Sequence, residues 1–439
     1  MVIFHALREA EQRRRPIRVA VLGTGYMGRG IAAQMLGRMP GLRAALLVNR
    51  TVGKAVAAYA LAGVDPEAVV VSDDPRVLGQ AIAEGRPAAT GDFDAAGAVE
   101  GVDAVIEATG DVTVGAREAL RWIGRRVPYV SMNAETDATV GCLLQHRARQ
   151  AAVVYTTADG DQPGVLMRLV DYVRTIGFEV VAAVSCKGFL DVRATPDSVR
   201  PFAERMLQAP AKICSFADGT KMNIEQAVLA NATGLVPDVR GMHGIATDLG
   251  HALEDFRARG VLDRGGVVEY TLSGDFGGGV FVIGRSDAPA LTQQYLEVFK
   301  LGTGPDYLFY RPYHLCHFEA PLSAAEAVLF GVPTAAPLDA PVAEVVALAK
   351  RALRAGERLD GIGGYTVYGQ IDRAEAVWQQ GLLPVGLAAG ARVRRDVPAD
   401  RPLALDDVEL DEEALPVRLW REQRHLFAPR RSVVAASSR

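Results

Sequence analysis

An apolar run followed by a glycine-rich turn, close to the start of the chain, is the feature that most limits its fold. Residues 19–29 read Val-Ala-Val-Leu-Gly-Thr-Gly-Tyr-Met-Gly-Arg, and a helix-like stretch follows at residues 30–36. A strand buried in a parallel sheet is almost wholly apolar, and the glycines permit a tight turn and the close approach of a pyrophosphate to a helix N-terminus. The pattern predicts a doubly wound α/β domain that binds a dinucleotide.

The residues after the second predicted strand indicate which dinucleotide this is. Residues 44–48 end in Asn49, Arg50 and Thr51, at the place where an acidic residue would bind the ribose of NAD. An arginine there suits the 2′-phosphate of NADP, so NADP(H) is predicted in preference to NAD(H); the alternative is that Arg50 is a solvated residue at a strand end. The predicted cofactor contacts of these two segments are Gly23, Thr24, Gly25, Tyr26, Met27, Gly28, Asn49 and Arg50.

Composition excludes several classes of protein. With 49% hydrophobic and 23% charged residues and a net charge of -4, the chain matches neither a disordered protein nor a general nucleic-acid binder. The run Arg13-Arg14-Arg15 follows Glu9 and Glu11 and is interpreted as a solvated end before the first strand. Scattered cysteines and the lack of a secretory or membrane-length apolar segment favour a cytoplasmic protein that does not contact a membrane.

A chain of 439 residues is too long for one core, and its texture predicts several units. These are an NADP-binding domain at 1–156, an α+β catalytic and dimerisation domain at 157–335, a small third unit at 336–415 and a C-terminal tail at 416–439. The first unit has predicted strands at 17–22, 44–48, 69–71, 104–107, 129–132 and 153–156. The second has predicted helices at 165–175 and 323–329, and a mostly antiparallel sheet of strands at 180–185, 212–216, 223–229, 267–272, 279–284 and 307–309.

The third unit contains two loosely similar phrases, at residues 351–359 and 395–403. They resemble the two halves of a SAF domain, a small β-clip module. Such a unit could cover an active site or build the interface of a homodimer, and both remain open. The polar, basic residues from about Pro429 onward are predicted to be disordered.

Candidate ligand-binding residues follow two strands of the first unit, because ligands lie at the carboxyl ends of strands in a doubly wound sheet. Thr109 and Gly110 close one strand, and Asn133, Ala134 and Glu135 close the next. The first four are assigned to the cofactor and Glu135 to the substrate. The alternative for Asn133 and Glu135 is a helix cap.

Lys187 is the strongest catalytic candidate in the second unit. It follows the apolar run 180–185 and precedes Gly188, so its ammonium group would project from a strand end, where it could polarise a carbonyl or protonate an alkoxide. The alternative is an ordinary surface lysine. Asp238 and His243 are possible acid and base partners of Lys187.

Two further groups are predicted to bind substrate. Arg311, Tyr313 and His314 could form an anion pocket, whereas the alternative is a structural arginine paired with an acid. Asn231 and Thr233 offer hydrogen bonds to a hydroxylated substrate, or else satisfy the backbone of their own loop. Together these residues predict a small anionic substrate.

Several motifs resemble those of the homoserine dehydrogenase superfamily, namely the glycine turn, A-T-G at 108–110, M-N-A-E-T-D at 132–137 and A-D-G-D-Q-P at 158–163. Others resemble its DXR-like (DRL) branch, namely S-C-K-G at 185–188, A-T-P-D at 194–197, N-A-T-G-L-V-P-D at 231–238, G-M-H-G at 241–244 and Y-R-P-Y-H-L at 310–315. The resemblance extends over residues 17–409. It implies a reductase of a phosphorylated sugar-like substrate, with the 1-deoxyxylulose 5-phosphate reductoisomerase reaction of isoprenoid synthesis as the leading named activity. Gly188-Phe189-Leu190-Asp191 departs from the lysine- and asparagine-rich run of that branch, which leaves a changed substrate open.

Two alternatives remain at this point: a homoserine or semialdehyde dehydrogenase, and an NADP(H)-binding sensor without turnover. A reductoisomerase also needs a divalent cation. Asp159, Asp161 and Asp191 are the only nearby carboxylates, and their spacing does not define a metal site, so metal ligands stay unassigned.

Overall fold

A sheet of seven parallel strands forms the first unit of the protein; the computed structural model describes residues 2–274 and 278–428. Its strands are β1 (Ile17–Leu22), β2 (Leu42–Val48), β3 (Val70–Val71), β4 (Ala88–Thr90), β5 (Ala104–Glu107), β6 (Tyr129–Ser131) and β7 (Tyr155–Thr157). Their spatial order is β3-β4-β2-β1-β5-β6-β7. The strand order therefore reverses between β1 and β5, which is the place where doubly wound sheets bind ligands. The predicted fold class is confirmed, and β4 is a strand that the sequence analysis missed.

Helices cover both faces of this sheet. They are α1 (Val2–Gln12), α2 (Tyr26–Gly37), α3 (Val52–Leu61), α4 (Pro75–Ala83), α5 (Phe93–Ala98), α6 (Val112–Gly124) and α7 (Ala134–Ala151). The strands β1 and β5 are almost wholly inaccessible to solvent, as the apolar residues that make up most of each strand predict.

A second sheet follows, and it is mixed where the sequence predicted a mostly antiparallel one. Its strands are β8 (Glu179–Lys187), β9 (Val236–Pro237), β10 (Ile245–Ala246), β11 (Val267–Leu272), β12 (Val280–Arg285) and β13 (Asp306–Arg311). β11 runs parallel to β8, β9 and β10, whereas β12 is antiparallel to β8 and β13. A parallel connection needs a long crossover, and the helices between β8 and β11 supply it.

Two of those helices were predicted as strands. The helices of this unit are α8 (Gln162–Thr175), α9 (Arg200–Arg205), α10 (Pro210–Ala217), α11 (Thr220–Thr233), α12 (Ala252–Ala258), α13 (Val261–Arg264) and α14 (Ala290–Val298). The strands predicted at 212–216 and 223–229 are wrong because those residues belong to α10 and α11. Every residue of α11 is buried, so no polar face shows the helical periodicity in its sequence. For α10, the proline at its first position, Pro210, is typical of a helix start, and the sequence analysis did not use it.

The helix α15 (Cys316–Leu329) returns to the first sheet and packs on α2 and β5. It begins seven residues before the predicted helix at 323–329, and the added part contains Pro321, a residue type that is disfavoured inside helices. The loop before α15 thereby holds the second unit close to the carboxyl edge of the first sheet.

The C-terminal unit contains two antiparallel pairs, β14 (Ala343–Ala349) with β15 (Val367–Arg373) and β16 (Arg392–Val393) with β17 (Val408–Glu409). The two similar phrases lie side by side, since Leu353 and Val397 exchange backbone hydrogen bonds of 2.8 and 3.0 Å. Two further helices are α16 (Ala374–Gln380) and α17 (Leu415–Phe427). The predicted tail at 416–439 is therefore wrong as far as Phe427, because α17 packs against α7; the predicted disorder from Pro429 lies outside the described residues.

Lys350 joins the C-terminal unit to the second one. Its ammonium group is buried and lies 2.8 Å from Asp218 Oδ2, 2.7 Å from the carbonyl oxygens of Ala194 and Gly364, and 3.5 Å from Cys214 Sγ. A buried charge with this many partners fixes the relative position of the segments that contribute them.

Glu344 makes folding stability depend on pH. Burial raises its pKa to about 7, although Trp378 and Trp420 both donate hydrogen bonds to its Oε1 atom. The folded state then binds more protons than the unfolded state between about pH 4.5 and 7, so the free energy of unfolding contributed by this group falls as pH rises through that window. We expect Glu344→Gln to become more stable relative to wild type as pH rises from 5 to 8, which shows as a higher relative melting temperature. The difference in the free energy of unfolding should reach roughly 3 kcal/mol.

The control for this prediction is Glu375→Gln, which changes an exposed glutamate on α16. Thermal unfolding across that pH range should give this variant a difference from wild type that does not change with pH. A pH-independent difference for Glu344→Gln as well would contradict the assignment of a titrating carboxyl group.

Candidate active site

The glycine turn between β1 and α2 has the three features of a dinucleotide site. Gly23 has φ +88°, and a Cβ atom there would lie 3.0 Å from the backbone of Ala108 and Thr109. A Cβ atom on Gly28 would lie 1.8 Å from the carbonyl oxygen of Gly23, so only glycine lets the helix approach the strand. A Cβ atom on Gly25 would meet nothing within 4 Å, which leaves open space where a pyrophosphate would approach.

The remaining residues of the turn leave hydrogen-bonding groups available. α2 begins at Tyr26 without a side-chain cap, so its first backbone N–H groups point out of the helix N-terminus. Thr24 is buried, and its hydroxyl has no hydrogen-bond partner among the described residues. Met27 is half-buried, and the Tyr26 ring is 41% exposed with the Arg29 guanidinium 5.5 Å from its centre. The geometry fits a bound dinucleotide.

The end of β2 is basic and open. The Asn49 side chain accepts a hydrogen bond of 3.0 Å from the Thr51 amide, which turns the chain. Arg50 is exposed and forms no ion pair with any described residue. No acidic side chain directly follows β2 in the sequence.

A buried carboxyl group shapes the A-T-G turn. Oε1 of Glu107 accepts hydrogen bonds from the Thr109 amide at 2.6 Å and from the Thr109 hydroxyl. Burial raises the pKa of Glu107 to about 7, against the effect of those bonds. Asn133 caps α7 through the Thr136 amide at 3.2 Å and donates to the Asp111 carbonyl at 3.0 Å, as the cap interpretation expects. The two predicted cofactor segments, with Ala134 buried behind them, are thus held rigidly side by side.

Lys187 lies at the last position of β8 beside the start of α8. Its ammonium group donates to Gln162 Oε1 at 2.7 Å and lies 3.3 Å from Glu225 Oε2 on α11. The Lys187 side chain is 21% exposed, so a small molecule can reach it. The Nε2 atom of Gln162 is buried and has no partner among the described residues, which leaves one amide donor free beside the lysine.

Glu135 binds two further lysines. Its carboxylate lies 2.8 Å from Lys212 on α10 and 3.2 Å from Lys221 on α11. Burial alone would raise the pKa of Glu135, but the two ammonium groups outweigh it and hold that pKa well below its usual range. Burial would lower the pKa of Lys221, but Glu135, Asp161 and Glu225 outweigh it and raise that pKa. Both groups therefore stay charged at neutral pH.

Lys212 connects this cluster to the predicted cofactor site. A Cβ atom added to Gly110 would lie 3.9 Å from the ammonium nitrogen of Lys212. We call the seven side chains around these contacts the lysine centre; they are Lys187, Lys212, Lys221, Glu135, Glu225, Asp161 and Gln162. The lysine centre lies against the carboxyl edge of the first sheet, where a nicotinamide ring would end.

The sequence analysis identified Lys187 and Glu135 but missed the roles of Lys212, Lys221, Glu225 and Gln162. One signal was present. The chain has 48 basic residues but only six lysines, and three of these lie in the lysine centre. Arginine carries most of the positive charge of this chain, so the few lysines indicate positions where a compact ammonium group is needed.

Asp238 and His243 do not lie beside Lys187, which corrects the expected partnership. They bind each other at 2.8 Å, and Arg264 binds the other oxygen of Asp238 at 2.7 Å. Their segment pairs with the edge of β11 opposite to β8, so a whole strand separates them from Lys187. The lateral separation is about 10 Å.

Asn231 and Thr233 also serve structure, although they do so from the buried helix α11 and not, as the alternative expected, from a loop that satisfies its own backbone. Asn231 Oδ1 accepts hydrogen bonds from Val342 and Ala343, and its amide donates to the Ala343 carbonyl. The Thr233 hydroxyl donates to Leu229 at 2.8 Å within α11. Both lie about 15 Å or more along the helix from Lys221, so the substrate-binding assignment is not supported by their positions.

The segment after β13 is only partly close to the lysine centre. Arg311 forms an ion pair with Glu319 and lies 5.3 Å from the centre of the Tyr313 ring, so its charge is already balanced by an acid. His314 Nδ1 lies 3.2 Å from the carbonyl of Gly160, just before Asp161. The structure therefore brings His314 toward the site, whereas Arg311 matches the structural alternative.

Metal ligation has no geometric support in the described part of the chain. No group of three or more His, Cys, Asp or Glu side chains among residues 2–274 and 278–428 could hold a metal ion. Asp159 is instead bound by Arg168 at 2.9 Å, and Asp191 accepts from the Arg193 amide at 2.9 Å.

Comparison with protein families gives one match. Residues 160–320 match the model described as the catalytic domain of oxidoreductase DRL. This stretch contains Lys187, Lys212, Lys221 and Glu225, and the match supports the oxidoreductase class predicted from the sequence. No curated protein matches the chain.

Solved structures similar to the chain include two sugar-alcohol dehydrogenases. A putative myo-inositol dehydrogenase from Sinorhizobium meliloti has 13% identity and a TM-score of 0.38, over 72% of this chain and 90% of its own. A myo-inositol dehydrogenase from Corynebacterium glutamicum has 11% identity and a TM-score of 0.40, over 72% and 89%. A 3-ketoreductase from Actinomadura kijaniata, solved with NADP, has 15% identity and a TM-score of 0.34, over 72% and 90%. None of the described helices combines the length and apolar character of a membrane span.

Proposed function

We propose that the protein is an NADPH-dependent reductase of a carbonyl group in a small, hydroxylated, sugar-like substrate. The observation that carries the proposal is the position of Lys212, whose ammonium group lies 2.8 Å from Glu135 and next to Gly110 of the predicted cofactor site. The predicted cofactor turn and a dense polar centre thus adjoin each other. The bound cofactor would supply the hydride.

Lys187 and Gln162 are proposed to hold the carbonyl oxygen. The Lys187 ammonium has three donors and, among the described residues, two partners, Gln162 and Glu225, so one donor is not used by them. The Gln162 Nε2 donor beside it is also unused among the described residues. Two convergent donors stabilise the negative charge that develops on a carbonyl oxygen as hydride arrives, and the lysine can then give its proton to the alkoxide.

Lys221 and Glu135 are proposed as positioning residues. They are almost wholly buried and bind each other, so they anchor α11 to α7 and fix the Glu225 carboxylate that Lys187 contacts. Lys221 and Glu135 neutralise each other and are buried, whereas the side chains of Lys187 and Lys212 are 21% and 37% exposed, so these two lysines are the ones that a substrate can reach.

Charge balance bears on the substrate. The lysine centre contains three ammonium groups and three carboxylates, from Glu135, Glu225 and Asp161, and Arg311 is paired with Glu319. Such a centre has both donors and acceptors for hydroxyl groups but little excess positive charge for a phosphate. We therefore propose neutral ketoses and inositol-like ketones as candidate substrates, in addition to the phosphorylated ketoses that the DRL resemblance implies.

A substrate panel tests this proposal. NADPH absorbance is followed with 1-deoxyxylulose 5-phosphate, other ketose phosphates, unphosphorylated ketoses and oxidised inositols, and with homoserine in the reverse direction with NADP. Consumption of NADPH with a sugar-like ketone is the expected result. Turnover of homoserine alone would replace the proposal by an amino-acid dehydrogenase.

Cofactor choice gives a separate prediction. We expect Arg50→Ala to raise the KM for NADPH by about tenfold, because a charge-assisted contact with the 2′-phosphate is lost, and to leave the KM for NADH unchanged. Arg76→Ala is the matched control, since Arg76 is an exposed arginine of the same unit that pairs with Asp74. Equal effects on NADPH and NADH would show that Arg50 does not contact the 2′-phosphate.

A further inference from the structure

A cavity lies at the opposite edge of the first sheet from the glycine turn. It has a volume of about 810 Å³ and is bordered by the first residues of β1, by Arg43 on β2 and by Asp103 just before β5. β1 has six residues, so this edge is about 20 Å from the glycine turn. A volume of this size is in the range of sites for small organic ligands.

The polar part of this cavity is almost entirely arginine. Five arginines and one acidic residue line it, namely Arg14, Arg15, Arg18, Arg43, Arg86 and Asp103. The rest of the lining is largely apolar, with alanine, valine, leucine, isoleucine and proline side chains from several helices and strands. The cavity therefore combines apolar walls with a guanidinium-rich border.

Two of the five guanidinium groups have no counter-ion within the described part of the chain. Arg18 binds Asp103 through two hydrogen bonds of 2.9 Å, Arg43 pairs with Glu11, and Arg86 lies 3.7 Å from Glu84. Arg14 and Arg15 form no ion pair with any of the described residues. Unpaired guanidinium groups bind phosphate or carboxylate groups bidentately.

The backbone at Arg14 supplies an independent observation. Arg14 has φ +56°, and the Arg14 and Arg15 amides donate to the Glu11 and Ala10 carbonyls at the end of α1. This is the position after a helix where glycine is the usual residue, because other side chains are strained there. An arginine at this place costs stability, which a ligand contact made by its side chain would explain.

We propose that this cavity binds a small organic anion, with a phosphate group held by Arg14 and Arg15 and an apolar body against the aliphatic walls. The site is distinct from the cofactor and substrate sites proposed above and does not depend on them. The arginine run, which the sequence analysis interpreted as a solvated end, then has a binding role.

Calorimetric titration of the full chain with 1-naphthyl phosphate tests the proposal, with inorganic phosphate and 1-naphthol as comparison probes. We expect saturable binding of 1-naphthyl phosphate that is tighter than binding of either probe, because only it offers both the anion and the apolar body. No saturable binding of 1-naphthyl phosphate to the wild-type protein would overturn the proposal.

Variants locate the site. Arg14→Gly removes the guanidinium group and places glycine where the backbone favours it, so we expect about tenfold weaker binding with a melting temperature equal to or above that of wild type. Arg15→Gln should weaken binding similarly. Arg13→Gln is the matched control, because Arg13 pairs with Glu9 and does not line the cavity, and it should bind as wild type does.

Two outcomes of the variant series would overturn the proposal. The first is that Arg14→Gly binds 1-naphthyl phosphate as wild type does and melts at a lower temperature. The arginine would then only stabilise the end of α1, through the interaction of its charge with the carbonyl groups there. If instead Gly25→Val, which fills the open space of the glycine turn, abolishes binding of 1-naphthyl phosphate, the anion binds at the cofactor site.

Discussion

Replacing Lys187 by alanine is expected to lower kcat by about 10²–10⁴-fold while NADPH binds as tightly as it does to wild type. The reason is its position: the Lys187 side chain is 21% exposed, and its ammonium group lies beside the Gln162 donor that no described residue uses. Steady-state kinetics on the best substrate of the panel and NADPH fluorescence titration give the two numbers. Replacing Lys221 is a poorer test, because the change would leave the buried Glu135 carboxylate with one partner fewer and endanger folding.

Lys300→Ala is the control for this prediction. Lys300 is an exposed lysine after α14, and its removal should change neither kcat nor NADPH binding. Full activity of the Lys187→Ala variant would remove this lysine from the mechanism. Loss of NADPH binding together with activity would mean that Lys187 serves the cofactor.

Replacing Gly25 by valine is expected to weaken NADPH binding by about 100-fold without lowering the melting temperature. A Cβ atom on Gly25 meets nothing within 4 Å, and Gly25 has φ -71°, which valine adopts readily, so the fold tolerates the change. The added methyl groups would occupy the space through which a pyrophosphate reaches the N-terminus of α2. The expected loss corresponds to one or two charge-assisted hydrogen bonds.

Two other glycines make this prediction specific. Gly37→Val also projects into open space, but at the far end of α2, and should bind NADPH as wild type does. Gly28→Ala would place Cβ 1.8 Å from the Gly23 carbonyl oxygen and should lose both stability and binding. Unchanged NADPH binding by Gly25→Val would contradict the assignment of the turn to the cofactor.

The first sheet was largely predictable because its local signals agree with its tertiary environment. β1 and β5 are buried on both faces and are mostly apolar, with Arg18 and Glu107 as the charged exceptions, and Gly23, Gly25 and Gly28 each meet a different steric demand of the turn. The prediction failed where burial removes the periodic signal, as it does for α11, whose fourteen residues are all buried.

The lysine centre could be predicted only in part, for the same reason. Lys187 follows a clear strand and Glu135 a clear strand end, so sequence placed both at edges where ligands bind. Lys221 and Glu225 lie on the helix that was predicted as a strand. Their contacts join residues up to 86 positions apart, and no local pattern encodes such a juxtaposition. Conversely, Asp238 and Asn231 were chosen for residue type alone and proved to be bonded elsewhere.

The most direct test of the account is whether hydride passes from NADPH to a carbonyl held by the lysine centre. NADPH carrying deuterium at the transferring position of the nicotinamide ring is incubated with the protein and the substrate panel, and the products are analysed by mass spectrometry. The account predicts one deuterium in the alcohol formed from a sugar-like ketone by the wild-type protein, and almost none with Lys187→Ala. Tight binding of NADPH with no deuterium transferred to any panel member would contradict it and would indicate a cofactor-binding sensor.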